Sequence, residues 1–266
     1  MIGSARMYEW APSLIQRWRE LLEWVAGRAN VDLELARTAD SLDELWARED
    51  LGCVLMCGYP YALRERRPAL LAAPVPAPPR YGGQPVYVTD FIVRADSAFA
   101  TLEDTFGHRI AYSAEHSHSG YNAARHHLLR YRTADRPAFF TEVRGPYVRQ
   151  PFVIKAVLDG EADVAAIDGF AHDLLKRHDP ATATRLRVVA TTDPAPFPPL
   201  VASERMPAAE RARLIDALVE VDRAPEMKET LDDLLLLRFE RVEDRRFQLF
   251  LDWQKTAEAA GYPKLR

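Results

Sequence analysis

Between residues 111 and 125 the chain reads Ala111-Tyr112-Ser113-Ala114-Glu115-His116-Ser117-His118-Ser119-Gly120-Tyr121-Asn122-Ala123-Ala124-Arg125. A strand-like segment ends near Tyr112, a short polar loop follows, and a helical pattern opens near Gly120. The first turn of a helix carries backbone N–H groups without an intrahelical acceptor, together with the positive end of the peptide dipole. Ser117 and Ser119 add hydroxyl donors, and Gly120 lets a ligand approach the backbone. That combination is a cradle for a tetrahedral oxyanion. A plainer reading makes Ser117 or Ser119 an N-cap and nothing more. The residues alone leave both open.

Two other chemistries compete for the same stretch. His108, His116, His118, His126 and His127 fall within twenty residues, and zinc needs three or four converging ligands. His126 and His127 are neighbours, so on a helix they point to different faces, and the expectation is no metal site and no cofactor. His118 beside Ser117 and Ser119, with Asp168 opposite, has the residue types for acid–base work on a small acid. No G-x-S-x-G elbow, P-loop or H-E-x-x-H motif supports it, so binding without turnover is expected, with an enzyme acting on a small acid as the alternative.

The elements that must position these residues are those of a parallel-type α/β fold. Residues 13–29 place Leu14, Trp18, Leu21, Leu22 and Val25 at helical spacing, 31–37 alternate as a strand, Ser41 and Glu44 form a capping-box pattern, and 52–57 are a continuous apolar run. In the second third, strands are expected at 86–93, 109–112, 142–144, 162–167 and 186–191. Helices alternate with them at 101–107, 121–132, 151–159 and 169–177. A brief strand at 200–203 and helices at 207–221 and 244–260 follow. Proline-dense stretches at 68–85 and 194–199 read as connections. They bracket the block 86–190, so the expected organisation is a discontinuous lobe of 1–85 and 191–266 with a second lobe, 86–190, inserted by two crossovers. A cleft between such lobes suits a small ligand.

Composition narrows the function further. Lys and Arg number 35 against 39 Asp and Glu, a net charge of −4, which is no basic excess for nucleic acid. No apolar run approaches the ~20 residues of a membrane span. Residues 1–10 show neither a basic n-region nor an apolar h-region, so a cytoplasmic location is expected, or a periplasmic one if a leader has been removed. Cys53 and Cys57 on one strand would stand ~13 Å apart, too far for a disulfide, and are expected as buried free thiols. The acidic half-helix expected over 219–233 and the exposed charged run 238–246 have two readings, a solvated face or the surface of a sensor that meets a partner.

Several ordered pieces resemble the phosphate/phosphite/phosphonate-type solute-binding proteins of ABC transporters. Ser117-His118-Ser119-Gly120-Tyr121-Asn122 resembles their S-x-S-G-y-n signature, and Cys57-Gly58-Tyr59-Pro60-Tyr61 their turn after an early strand. Tyr87-x-Thr89 with Ile92-Val93-Arg94-x-Asp96-Ser97 resembles the strand that follows. Thr101-Leu102-Glu103-Asp104 with Gly107-x-Arg109-Ile110-Ala111, and Gly160-Glu161-Ala162-Asp163-Val164-Ala165-Ala166-Ile167-Asp168, complete the set.

The resemblance implies a two-lobed type II periplasmic-binding-protein-like α/β fold that encloses a small phosphonate- or phosphate-like anion by hinge closure. Its partner would be an ABC transporter permease, or a cytoplasmic protein if the chain is a sensor. By the same resemblance Ser117, His118 and Ser119, beside Gly120, hold the anionic head, and Tyr59, Tyr61 and Tyr87 line the cleft. Asp163 and Asp168 come from a strand end facing it, with Asp168 the better ligand residue. One departure is Gly145-Pro146-Tyr147-Val148-Arg149-Gln150, which lacks the family's histidine before the Pro151 helix. Arg144 or Arg149 would be the compensating charge, against the plainer reading of solvated surface arginines.

Overall fold

Leu14, Trp18, Leu21, Leu22 and Val25 recur every three or four residues, so a helix that carries them buries one stripe. In the computed structural model they do so on α1 (Pro12–Ala29), which opens with proline in its first turn and closes on Asn30 in the left-handed region. Residues 1–35 and 41–266 are described. In chain order the first elements are β1 (Ile2–Ser4), α1, β2 (Glu34–Leu35), α2 (Leu42–Ala47), β3 (Leu51–Leu55), α3 (Gly58–Leu63), β4 (Ala69–Pro76) and β5 (Val86–Tyr87). Then come β6 (Thr89–Arg94), β7 (Arg109–Ala111), a π turn (His118–Asn122) running into α4 (Ala123–Leu128), β8 (Glu142–Arg144), α5 (Gln150–Leu158), β9 (Val164–Asp168), α6 (Gly169–His178), α7 (Pro180–Ala183) and β10 (Leu186–Thr191). The chain ends with β11 (Ala195–Pro196), β12 (Leu200–Ala202), α8 (Ala208–Glu220), α9 (Lys228–Asp233), β13 (Leu236–Glu240) and α10 (Gln248–Ala259).

The chain divides into two units, Met1–Val86 with Pro196–Phe247 and Tyr87–Ala195 with Gln248–Arg266. The first holds a six-stranded sheet in the order β13-β4-β12-β3-β1-β2. Its β3 is buried throughout, as its unbroken apolar run requires. Ser41 and Glu44 form the reciprocal capping box at α2. Cys53 and Cys57 are buried free thiols; Cys57 lies beyond the end of β3, as the residue preceding α3. Of the strand expected over 31–37, Glu34–Leu35 forms β2, and residues 36 and 37 lie outside the described residues.

The second unit holds a five-stranded sheet, β10-β6-β9-β7-β8, in which β7 runs parallel to β8 and β9 while β6 runs antiparallel to β9 and β10. Phe91, Ile110, Tyr121, Leu128, Val164 and Tyr262 are buried in it. Parallel β7 and β9 put their carboxyl ends on one sheet edge, where α/β folds bind ligands. The segment after β7 and α6 after β9 both begin at that edge.

Three expectations need correction. The stretch 68–85 is not only a connection: β4 occupies Ala69–Pro76. Pairing of β4 with β12 ends at Ala72, and Pro74 and Pro76 face β13 alone, so the missing donors fall where the strand has a single paired neighbour. The segment 219–233 is not one helix; α8 ends at Glu220, two short 3₁₀ turns follow, and α9 begins at Lys228. The run 238–246 begins in β13. The chain passes between units at Val86/Tyr87 and Ala195/Pro196, and β5 pairs with β11 at these passages. A third passage at Phe247/Gln248 joins the carboxyl-terminal residues to the second unit, where the sequence reading had them in the first lobe. No proline or glycine marks that passage; α10 is held by the buried face of Phe250, Trp253 and Ala257.

Candidate functional site

Ser117 is the N-cap of the π turn. Its backbone is extended, and its Oγ accepts the Gly120 N–H at 3.1 Å. The Asn122 N–H bonds to the Ser117 carbonyl at 3.1 Å, closing the wider i→i+5 ring of a π turn, a geometry frequent at functional sites. The N–H groups of His118 and Ser119 precede that first helical bond. Ser119 is 5% exposed and its carbonyl accepts the Thr89 hydroxyl at 3.1 Å. Thr89 is itself fixed by Thr192, through Thr89 N–H to Thr192 Oγ1 at 3.0 Å and Thr192 N–H to the Thr89 carbonyl at 3.0 Å. It also pairs in register with Asp168 on β9. The second unit thus gathers Ser117, Ser119, Gly120, Thr89 and Asp168 at one sheet edge.

Asp168 is committed locally. As N-cap of α6, its Oδ1 accepts from Phe170 N–H at 2.8 Å and Ala171 N–H at 3.0 Å. Asp163 pairs with Arg109 through both carboxylate oxygens at 2.9 Å, which holds its carboxyl below the usual range. Asp163 is thus paired locally.

The His118 side chain is packed inside the second unit. Its ring is 1% exposed and packs edge-on to Phe250 at 4.3 Å, with Trp253 at 5.2 Å and Tyr87 at 5.8 Å. Burial, with a smaller contribution from His126, pushes its pKa down to about 3, so the imidazole is neutral at physiological pH. Its ring therefore carries no positive charge near neutrality. His126 stacks on Trp253 at 4.5 Å and His127 packs on Phe91 at 5.3 Å. Among the described residues no three His, Cys, Asp or Glu side chains are grouped to hold a metal ion.

Tyr87 is buried in the second unit beside His118. Tyr59 and Tyr61 belong to α3 of the first unit and are also buried. The Tyr61 hydroxyl donates to Asp244 Oδ1 at 2.6 Å, and Arg67 donates to Asp244 Oδ2 at 2.6 Å. Tyr61, Arg67 and Asp244 border an open cavity of about 490 Å³ in that unit. Arg144 is engaged by Glu142 at 3.0 Å.

Sequence reasoning passed over Ser113 and Thr192. Ser113 is 3% exposed and its Oγ abuts Gly120. Its only signal was a small polar residue at the end of a strand leading to the serine-rich turn.

The fold and this edge define a class, the type II periplasmic binding proteins. The structure of a binding-protein component of an ABC phosphonate transporter (PA3383) from Pseudomonas aeruginosa is similar, with a TM-score of 0.78 and 18% identity, covering 96% of this chain and 85% of that one. PhnD1 from Prochlorococcus marinus in complex with methylphosphonate aligns with a TM-score of 0.77 and 14% identity, covering 92% and 93%. XAC2383 from Xanthomonas citri bound to chloride ion aligns with a TM-score of 0.65 and 20% identity, covering 94% and 96%. No curated protein matches in sequence. Residues 8–247 match the family model described as ABC transporter, phosphonate, periplasmic substrate-binding protein, and the chain belongs to that family. The family is one of solute-binding proteins rather than enzymes. Among the described residues no helix is long and apolar enough to cross a membrane.

Proposed function

We propose that this chain binds a small phosphonate- or phosphate-like oxyanion at the Ser117-capped π turn. The observation that carries the reading is that turn: buried backbone donors at His118, Ser119 and Gly120, two serine hydroxyls and a tethered Ser119 carbonyl, in a chain of this family. The Ser117 hydroxyl, which accepts from Gly120 as the N-cap, has its own proton to donate, and a ligand that engages the Gly120 N–H takes the place of that cap bond. Hydrogen bonds from neutral donors to an anion are short and strong, and need no buried cation. PhnD1, a structural neighbour, is seen with methylphosphonate, which supports the ligand class.

Tyr59, Tyr61 and Tyr87 complete the proposed ligand contacts. With its hydroxyl held by Asp244, Tyr61 contributes its ring. Asp168 acts through the cap it makes and the strand end it shares with Thr89. Hinge closure belongs to this reading, with a transporter permease as the partner and the periplasm as the place of work. Calorimetry with methylphosphonate, inorganic phosphate and sulfate tests it. Replacing Ser117 and Ser119 together by alanine should weaken binding at least ~10-fold. Unchanged affinity refutes the cradle, and an unchanged radius of gyration on ligand addition refutes closure.

A further inference from the structure

Ser113 carries a hydroxyl that the fold buries and that has no hydrogen-bond partner among the described residues. Its backbone is used: the Ser113 carbonyl accepts the Val148 N–H at 2.8 Å. The hydroxyl is aimed at the cradle. A Cβ built on Gly120 would lie 2.0 Å from Ser113 Oγ and 3.2 Å from Ser117 Oγ, so both hydroxyls border the same face of Gly120. Buried hydroxyls are nearly always paired, and one that is not calls for a role.

We infer that Ser113 is a positioning residue of the anion site, donating to Ser117 Oγ once a ligand engages the turn; this rests on the binding reading above. In the structure, Ser117 Oγ accepts from the Gly120 N–H at 3.1 Å. A bound oxyanion accepts hydrogen bonds from the Gly120 N–H and the Ser117 O–H. Ser117 Oγ then has a lone pair to offer, and the Ser113 O–H beside it is the donor. Each polar group is satisfied in the bound state, and the donation polarises the Ser117 O–H toward the anion. Ser113 stabilises the complex more than the free protein, whereas a hydroxyl kept for folding would be bonded already.

The test is Ser113→Ala, Ser117→Ala and the double variant in the full chain, with methylphosphonate, inorganic phosphate and sulfate as probes. Ser113→Ala should leave the ligand-free Tm unchanged or raised, and weaken the best-bound probe by about three- to tenfold. Adding Ser113→Ala to Ser117→Ala should have little further effect, because the first serine acts through the second. Unchanged affinity in Ser113→Ala beside weakened binding in Ser117→Ala overturns this inference and spares the cradle. A fall in ligand-free Tm with unchanged affinity shows a structural hydroxyl and also overturns it. If wild type binds none of the probes, or neither serine matters, the cradle reading falls and this inference with it.

Discussion

The hydroxyl of Thr89 donates to the main-chain carbonyl of Ser119 at 3.1 Å, and both residues are buried. This bond joins the start of β6 to the middle of the serine-rich turn. Thr89 pairs with Asp168 in the sheet, so the turn is fastened to the strand end that also caps α6. The turn proposed as the cradle is therefore held by sheet geometry, and a loop alone would not fix donors this closely.

Thr89→Val keeps the side-chain shape and removes the donor. It leaves the Ser119 carbonyl buried without that partner, at a cost of about 1–3 kcal/mol. Urea unfolding should show that loss, and calorimetry should show weaker oxyanion binding. A variant with wild-type midpoint and wild-type affinity would remove Thr89 from any part in the site.

Much of this arrangement was legible in advance, for identifiable reasons. The Ser117-to-Gly120 turn announces itself because small polar residues cluster where an apolar run gives way to helical spacing. β3, β9 and α1 have periods that a sequence displays. The side-chain directions were not legible. That His118 packs on Phe250 depends on α10, more than 120 residues away, joining the second unit. The strand character of β4 was hidden by prolines that only its position in the sheet makes tolerable. Ser113 gave no signal because an isolated serine gains meaning only from what it faces.

Gly120 is required by space. Its Cβ would stand 2.0 Å from Ser113 Oγ and 3.0 Å from Ser113 Cβ. Gly120→Ala should cost about 1–3 kcal/mol through overpacking and abolish oxyanion binding. Combining it with Ser113→Gly removes both offending atoms, so the pair should be more stable than the sum of the single changes predicts. Strict additivity in chemical denaturation would show that the clash is relieved elsewhere.

Asn122 links the cradle helix to α10. Fully buried, it donates from Nδ2 to the Phe250 carbonyl at 3.0 Å and accepts at Oδ1 from Arg125 at 3.0 Å. Arg125 is itself buried and donates to the Pro263 carbonyl, so one amide helps hold a guanidinium in place. Asn122→Ala should destabilise the protein by about 2–3 kcal/mol, because a charged group and a carbonyl both lose a partner. Hydrogen exchange should show reduced protection in α10 before the first unit responds. Uniform loss of protection in both units would contradict this linkage.

His118 also sets a pH dependence with a definite sign. Its folded pKa is depressed to about 3 by burial, whereas the unfolded side chain titrates near the ordinary histidine value of 6.5. Between those values the unfolded chain binds the proton more readily, so its share of stability is present above pH ~6.5 and is lost as pH falls toward the folded value. With a slope that approaches about 1.36 kcal/mol per pH unit below 6.5, lowering pH from 7.5 to 5 should remove about 2 kcal/mol. His127, depressed to about 4 by burial, acts in the same direction. His118→Phe retains an aromatic ring against Phe250 and Trp253 and removes the titration. Urea midpoints at pH 7.5 and 5.0 should therefore differ less in the variant than in wild type, with the remaining acid sensitivity owed in part to His127. Parallel losses in the two proteins would mean that His118 accepts its proton while folded, and that the packing around it opens in mild acid.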